Sequence, residues 1–391
     1  MVLAERVDAL LGGATERGEV PGIVAVAARG DGSRLYEGAF GRSALGGDTP
    51  VTLDTVFWLA SMTKAVTGAA AMQLVERGDL DLDAPAGRWL PLLDEVEVLE
   101  GFDPDGKPVL RPPARPVTLR HLLSHTSGYA YEFWDADIQR YQEVTGLPPV
   151  ITCANDALRM PLRFDPGERW NYGIGIDFAG RMVEEVSGLR LGEYLRTHLF
   201  EPLGMPDTAF KLTPTMHDRL ATLHMRGPDG VLVPSDLIME QEPEFEMGGG
   251  ALYSTAGDYL RFALMILNRG ELDGARVLRS DTVAEMSRNQ LGALRTVALP
   301  TAMPHMTHDF EFFPGVPKGW GLSFQINLDT APTGRSPGSL CWAGLCNSYY
   351  WIDPAADVCG VYFSQILPFI DPYSHPLSEA FETAVYEQVG R

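Results

Sequence analysis

The sequence predicts an α/β protein of the α+β kind: one antiparallel sheet flanked by helices, with a mostly helical domain inserted into it. Three observations carry this. Short apolar or alternating runs, separated by turn residues, lie near the start of the chain (22–28 and 34–40). Similar runs recur near its end (320–328, 340–345, 349–352 and 358–365). Between them the helical periodicities of the middle third are broken by Gly, Pro and Asp. The expected division is therefore 1–80 with 246–391 as the sheet domain, and 81–245 as the helical one.

Each element has a local reason. Residues 3–18 show an amphipathic helical pattern that stops near Gly18. Arg29-Gly30-Asp31-Gly32-Ser33 is turn chemistry, so the strands on either side read as a hairpin. Residues 57–78 contain no proline and are apolar on most sides, which predicts a buried helix with Ser61 near its start and Arg77-Gly78 as its stop. From 81 to 116 the chain is rich in Pro and Asp. Helical segments are expected at 119–123, 154–160, 176–187 and 191–199. A good amphipathic helix follows at 255–268. Asp353-Pro354-Ala355-Ala356-Asp357 separates the last two strands, and 377–389 reads as a closing helix. Residues 296–319, rich in Pro, His and Phe, have no periodicity and are expected to be a long loop bordering the site entrance.

Composition limits the function. The 391 residues carry 31 Lys plus Arg against 52 Asp plus Glu, a net charge of −21. That balance argues against nucleic acid or an anionic membrane as partner. No stretch is long and apolar enough to span a bilayer. The amino terminus has acids where a signal peptide needs a basic region. A cytoplasmic protein with reduced thiols at Cys153, Cys341, Cys346 and Cys359 is the expectation.

Three short segments can carry chemistry. Ser61-Met62-Thr63-Lys64 puts a hydroxyl and an amine one helical turn apart, on the same face. A serine becomes a nucleophile when a base takes its proton, and a neighbouring lysine can do so or tune another base. With four lysines in the chain, such a pairing rarely arises by chance. Trp170-Asn171-Tyr172-Gly173 follows a turn-rich approach and could project Tyr172 into a cleft. An adjacent ammonium would favour its phenolate and make it a general base. Trp342-Ala343-Gly344-Leu345 is a strand of small residues that a substrate could approach closely, with a backbone N–H as oxyanion donor. Taken alone, the last two are equally compatible with aromatic packing and an ordinary buried strand. His121 and His125, four residues apart, lack the glutamate of a zinc-hydrolase motif, and no Gly-x-Ser-x-Gly is present.

Together the order and spacing of these segments resemble the serine β-lactamase and penicillin-binding-protein superfamily, and within it family VIII carboxylesterases. Phe57-Trp58-Leu59-Ala60, Leu80-Asp81-Leu82-Asp83-Ala84-Pro85, the run from His121 to Gly128, Pro202-Leu203-Gly204-Met205 and the run from Gly248 to Thr255 add to the likeness. The resemblance implies a β-lactamase/transpeptidase-like fold and a catalytic trio. Ser61 would be acylated, and Tyr172 would act as general base with its pKa lowered by Lys64. The N–H groups of Ser61 and Leu345 would form the oxyanion hole, and Trp342, Ala343 and Gly344 would bind substrate. No metal or organic cofactor is implied.

Two departures bear on the substrate. Penicillin-recognising enzymes usually carry Lys-Thr-Gly where this chain has Trp342-Ala343-Gly344, and Asn where it has Ile174. The expected activity is thus a serine carboxylesterase acting on small, fairly apolar esters. An acyltransferase of the same fold, a β-lactamase or D-amino-acid peptidase, and a non-catalytic binding module are the alternatives.

Overall fold

The structure, a computed structural model, describes residues 3–390. Its centre is a seven-stranded sheet, antiparallel throughout. In chain order the strands are β1 (Gly22–Arg29), β2 (Arg34–Gly41), β3 (Lys318–Trp320), β4 (Gln325–Asn327), β5 (Leu340–Gly344), β6 (Ser348–Asp353) and β7 (Val358–Phe363). Across the sheet they run β3-β4-β5-β6-β7-β1-β2. The amino-terminal hairpin thus completes a sheet that the carboxy-terminal strands begin.

Helices cover both faces, and the pleat explains how. Five helices matter here: α1 (Leu3–Glu16), α2 (Thr63–Arg77), α3 (Gly175–Ser187), α4 (Ala256–Leu267) and α5 (Ser374–Val389). Successive residues of a strand point to opposite faces. In β6, Tyr350 packs on Tyr259 of α4, while its neighbour Trp351 packs on Phe381 of α5. The sheet is therefore buried on both sides, and β5, β6 and β7 are buried along their whole length.

Most expected elements appear within a few residues of their predicted bounds, and the differences have physical causes. The helix expected over 57–78 begins only at Thr63. Phe57–Trp58 pairs instead with Tyr253–Ser254 as a short ladder. Ala60 then takes a left-handed backbone (φ 45°), which breaks the helix and leaves Ala60–Met62 as a single 3-10 turn. The strand expected over 320–328 is split by a turn, closed by the Gly321 N–H donating to Phe324 O at 2.8 Å, into the β3–β4 hairpin.

The stretch 81–245 is less helical than expected. It contains hairpins at Val98–Phe102 with Pro108–Arg111 and at Leu223–Arg226 with Leu232–Ser235. Asn155–Arg159 is a 3-10 segment rather than an α-helix. Among the described residues, no helix is long and apolar enough to cross a membrane, and the four cysteines are free and buried.

A buried ion pair ties the closing helix to the loop before β5. Arg335 Nε donates to Glu382 Oε1 at 2.8 Å, with both side chains nearly inaccessible to solvent. Removing one charge strands the other away from water. Glu382→Gln is expected to lower the unfolding free energy by about 3–5 kcal/mol, read from chemical denaturation midpoints.

Candidate active site

The turn that carries Ser61 is clamped from both sides. Leu59 N–H donates to Leu252 O at 2.8 Å, and Tyr259 OH of α4 donates to Met62 O at 2.9 Å. The glycine run 248–250 lies along the same segment. Its successive carbonyls accept from Thr67 Oγ1 (2.8 Å), Lys64 Nζ (2.6 Å) and Trp58 Nε1 (2.7 Å). A side chain at Gly249 would stand 2.5 Å from Asp177 Oδ2, so only glycine allows this approach.

The turn also presses against β5. A Cβ at Gly344 would meet Leu59 O at 2.3 Å. Gly344 does not line the cleft as expected; it lets β5 reach the nucleophile turn. This contact puts Leu345 on the same cleft as Ser61. Leu345, Ala343, Trp342, Tyr172 and Ser61 all line one cleft. Its other walls include Trp58, Tyr131, Phe133, Trp134, Met247, Met306 and Phe369. Met306 comes from the loop expected to border the entrance, and Phe310 and Phe312 of that loop pack edge-on against Trp342.

Lys64 is the electrostatic centre. It is 1 % exposed and makes three hydrogen bonds: to Ser61 Oγ at 3.1 Å, to Tyr131 OH at 2.9 Å and to Gly249 O. The carbonyl can only accept, whereas both hydroxyls can donate or accept. A neutral amine can thus donate to Gly249 and Tyr131 while taking the proton of Ser61. Burial favours that form and pushes the Lys64 pKa down to about 7, with the Asp177 charge opposing the shift.

Asp177, in the first turn of α3, is fully buried. Its Oδ1 accepts the Gly249 N–H at 2.7 Å, and its Oδ2 has no hydrogen-bond partner among the described residues. Burial pushes its pKa up to about 6, and Lys64 restrains the rise.

Tyr172 sits opposite and departs from expectation. Lys64 Nζ lies over its ring, 4.9 Å from the centroid, and makes its phenolic contact with Tyr131 instead. The Tyr172 oxygen accepts the indole N–H of Trp342 at 2.8 Å. Burial raises the Tyr172 pKa above that of an ordinary tyrosine, although the Ser61 and Trp342 contacts pull it down. The expected lowering by Lys64 is thus reversed: desolvation of a phenol in an aromatic cage outweighs those contacts.

His125 packs against this cage, 4.6 Å from the Tyr172 ring centroid, and accepts the Gly173 N–H through Nδ1 at 3.3 Å. His121 caps the short helix Leu119–Leu123 together with Thr118. No group of three or more His, Cys, Asp or Glu side chains among the described residues is arranged to hold a metal ion.

Sequence reasoning missed Tyr131, Asp177 and the carbonyl role of Gly249. An acid in the first, otherwise apolar turn of the helix expected over 176–187 was a legible signal. A lone tyrosine in a loop was not.

Three outcomes follow from this geometry. With p-nitrophenyl butyrate as acyl donor, kcat/KM is expected to fall on the acid side with a midpoint near 7 as Lys64 gains its proton. Asp177→Asn removes the charge that favours the ammonium, so the midpoint moves to lower pH by roughly one unit. Trp342→Phe keeps the ring but deletes the donor to Tyr172, and is expected to lower kcat roughly tenfold, one hydrogen bond of about 1–2 kcal/mol, in steady-state assays.

Comparison with known proteins agrees with this architecture. The beta-lactamase family model matches residues 7–379. Monacolin J acid methylbutanoyltransferase of Aspergillus terreus is 34 % identical over 95 % of this chain and 92 % of its own length. Lovastatin esterase of Penicillium rubens is 31 % identical over 97 % and 98 %. A mutant of simvastatin synthase from Aspergillus terreus superposes with a TM-score of 0.87 at 32 % identity, covering all of this chain and 96 % of that one.

These findings overturn the carboxylesterase expectation, because acyltransferases predominate among the relatives of this similarity. A serine, a lysine and a tyrosine so arranged would suit hydrolysis and transfer alike, so the trio could not separate them. Matched by the family model over nearly its whole length, the chain belongs to the beta-lactamase family.

Proposed function

We propose that the protein is an acyltransferase that moves a short acyl group through Ser61 onto the hydroxyl of an apolar acceptor. The observation that carries this reading is the cleft wall: aromatic and methionine side chains surround Ser61, with an indole where penicillin-recognising enzymes keep a lysine. The similarity to a methylbutanoyltransferase supports a short branched acyl group.

The steps balance on the side chains in place. Neutral Lys64 takes the Ser61 proton as Oγ attacks the donor carbonyl carbon. The Ser61 and Leu345 N–H groups receive the developing oxyanion. As the carbon–oxygen bond to the leaving group breaks, Tyr172 gives that oxygen its proton. The resulting phenolate is held by the Trp342 N–H, with the Lys64 ammonium over the face of its ring. In the second half the acceptor hydroxyl gives its proton to Tyr172 and attacks the acyl-enzyme, and Ser61 leaves with the proton of Lys64. A tyrosine kept neutral by burial suits this alternation, donating first and accepting second.

The acceptor must outcompete water. An alcohol in the millimolar range faces roughly ten-thousand-fold excess water, a handicap of about 5–6 kcal/mol. Burial of about seven methylene groups at about 0.8 kcal/mol each offsets it. The apolar walls of the cleft suit such an acceptor beside a short acyl chain.

The test uses p-nitrophenyl butyrate with 1-octanol and separates octyl butyrate from butyrate by chromatography. Octyl butyrate as the major product, with both products reduced at least about thousandfold in Ser61→Ala, is the expected outcome. Butyrate alone at saturating octanol overturns the reading.

A further inference from the structure

One residue lining the cleft is charged and has no part in the mechanism. Glu132 lines it beside Tyr131 and is 9 % exposed. Every other residue lining the cleft is uncharged. Among the described residues the carboxylate has no ion pair and no side chain that hydrogen-bonds to it. A buried carboxylate normally has a cation or several donors around it, because losing its water is expensive. Arg163, which reaches the segment just after Glu132, is committed to Asp135 and Asp137.

We infer that Glu132 is the acceptor-recognition residue: it takes a second hydrogen-bond donor of the acyl acceptor, a hydroxyl or an ammonium group, remote from the hydroxyl that is acylated. The inference rests on the transferase reading for the name of the ligand. It rests on the cleft alone for its chemistry. An apolar body with a donor at its far end fills this cleft and satisfies its one unpaired charge. Burial raises the Glu132 pKa, in keeping with a group that lacks a partner until the ligand arrives. By the same argument an acceptor with a carboxylate at that end is disfavoured, since like charges would meet in a water-poor site.

Binding is measured by calorimetry in a Ser61→Ala background, where no transfer can occur. The probes are 1-octanol, 1,8-octanediol and 8-amino-1-octanol, with octanoate as the anionic control. Both donor-bearing probes are expected to bind more tightly than 1-octanol, the amine by roughly tenfold, as for a hydrogen bond to a charged group. Glu132→Gln keeps an acceptor oxygen without the charge, so it removes the amine advantage and retains that of the diol. Glu132→Leu removes both.

An order of affinity that is the same in all three backgrounds, or octanoate binding as tightly as the amine, overturns the assignment. Transfer assays with the same alcohols and intact Ser61 are scored separately. If they yield only butyrate while the binding order depends on Glu132, the transferase reading fails and the recognition site stands.

Discussion

Burying the amine of Lys64 is the constraint on which the rest of the site depends. An ammonium deprived of water needs compensation, and no carboxylate touches this one. Its three partners are a carbonyl and two hydroxyls. That set is enough for a neutral amine and poor for a cation, so burial favours the neutral form. Asp177 acts at one remove, through Gly249, whose N–H it binds and whose carbonyl binds Lys64. The glycine run, the left-handed Ala60 and the close approach of β5 all serve to bring these partners around one nitrogen.

The indole of Trp342 changes the character of the opposite wall. A lysine there would add positive charge and a grip on anionic substrates. The indole supplies one neutral donor, spends it on Tyr172, and presents the rest of its surface as apolar wall. Aromatic neighbours from distant segments, Trp134, Trp320 and Phe310, pack on it or on Tyr172. The tyrosine is thereby held as a phenol in an aromatic cage. This differs from a site in which a cation beside the oxygen keeps the phenolate permanently formed.

Hydrolysis and transfer share a first half-reaction and diverge only in which hydroxyl attacks the acyl-enzyme. The side chains that the proposal uses would be common to both. What distinguishes them is how well the cleft holds an alcohol relative to water, and that depends on walls drawn from residues 131–134, 151, 247, 306 and 369. Reading the Trp342 triplet as the mark of an esterase assigned to one short segment a choice that the whole cleft makes.

Ser61, Lys64, Tyr172 and Trp342 were legible in the sequence because their chemistry is local: a fixed helical spacing, a turn before an aromatic, a bulky residue before two small ones. Most strands and helices were legible for the same reason, since period and turn residues are properties of short windows. Tertiary contact decided the rest. Phe57-Trp58 left the predicted helix to pair with Tyr253-Ser254, and Ala60 accepted a strained backbone to aim Ser61. Tyr131 became a ligand of Lys64 from 67 residues away. The protonation preferences of Lys64 and Tyr172 were set by desolvation, which no window of sequence reports, because the water a group loses is displaced by residues remote from it in the chain.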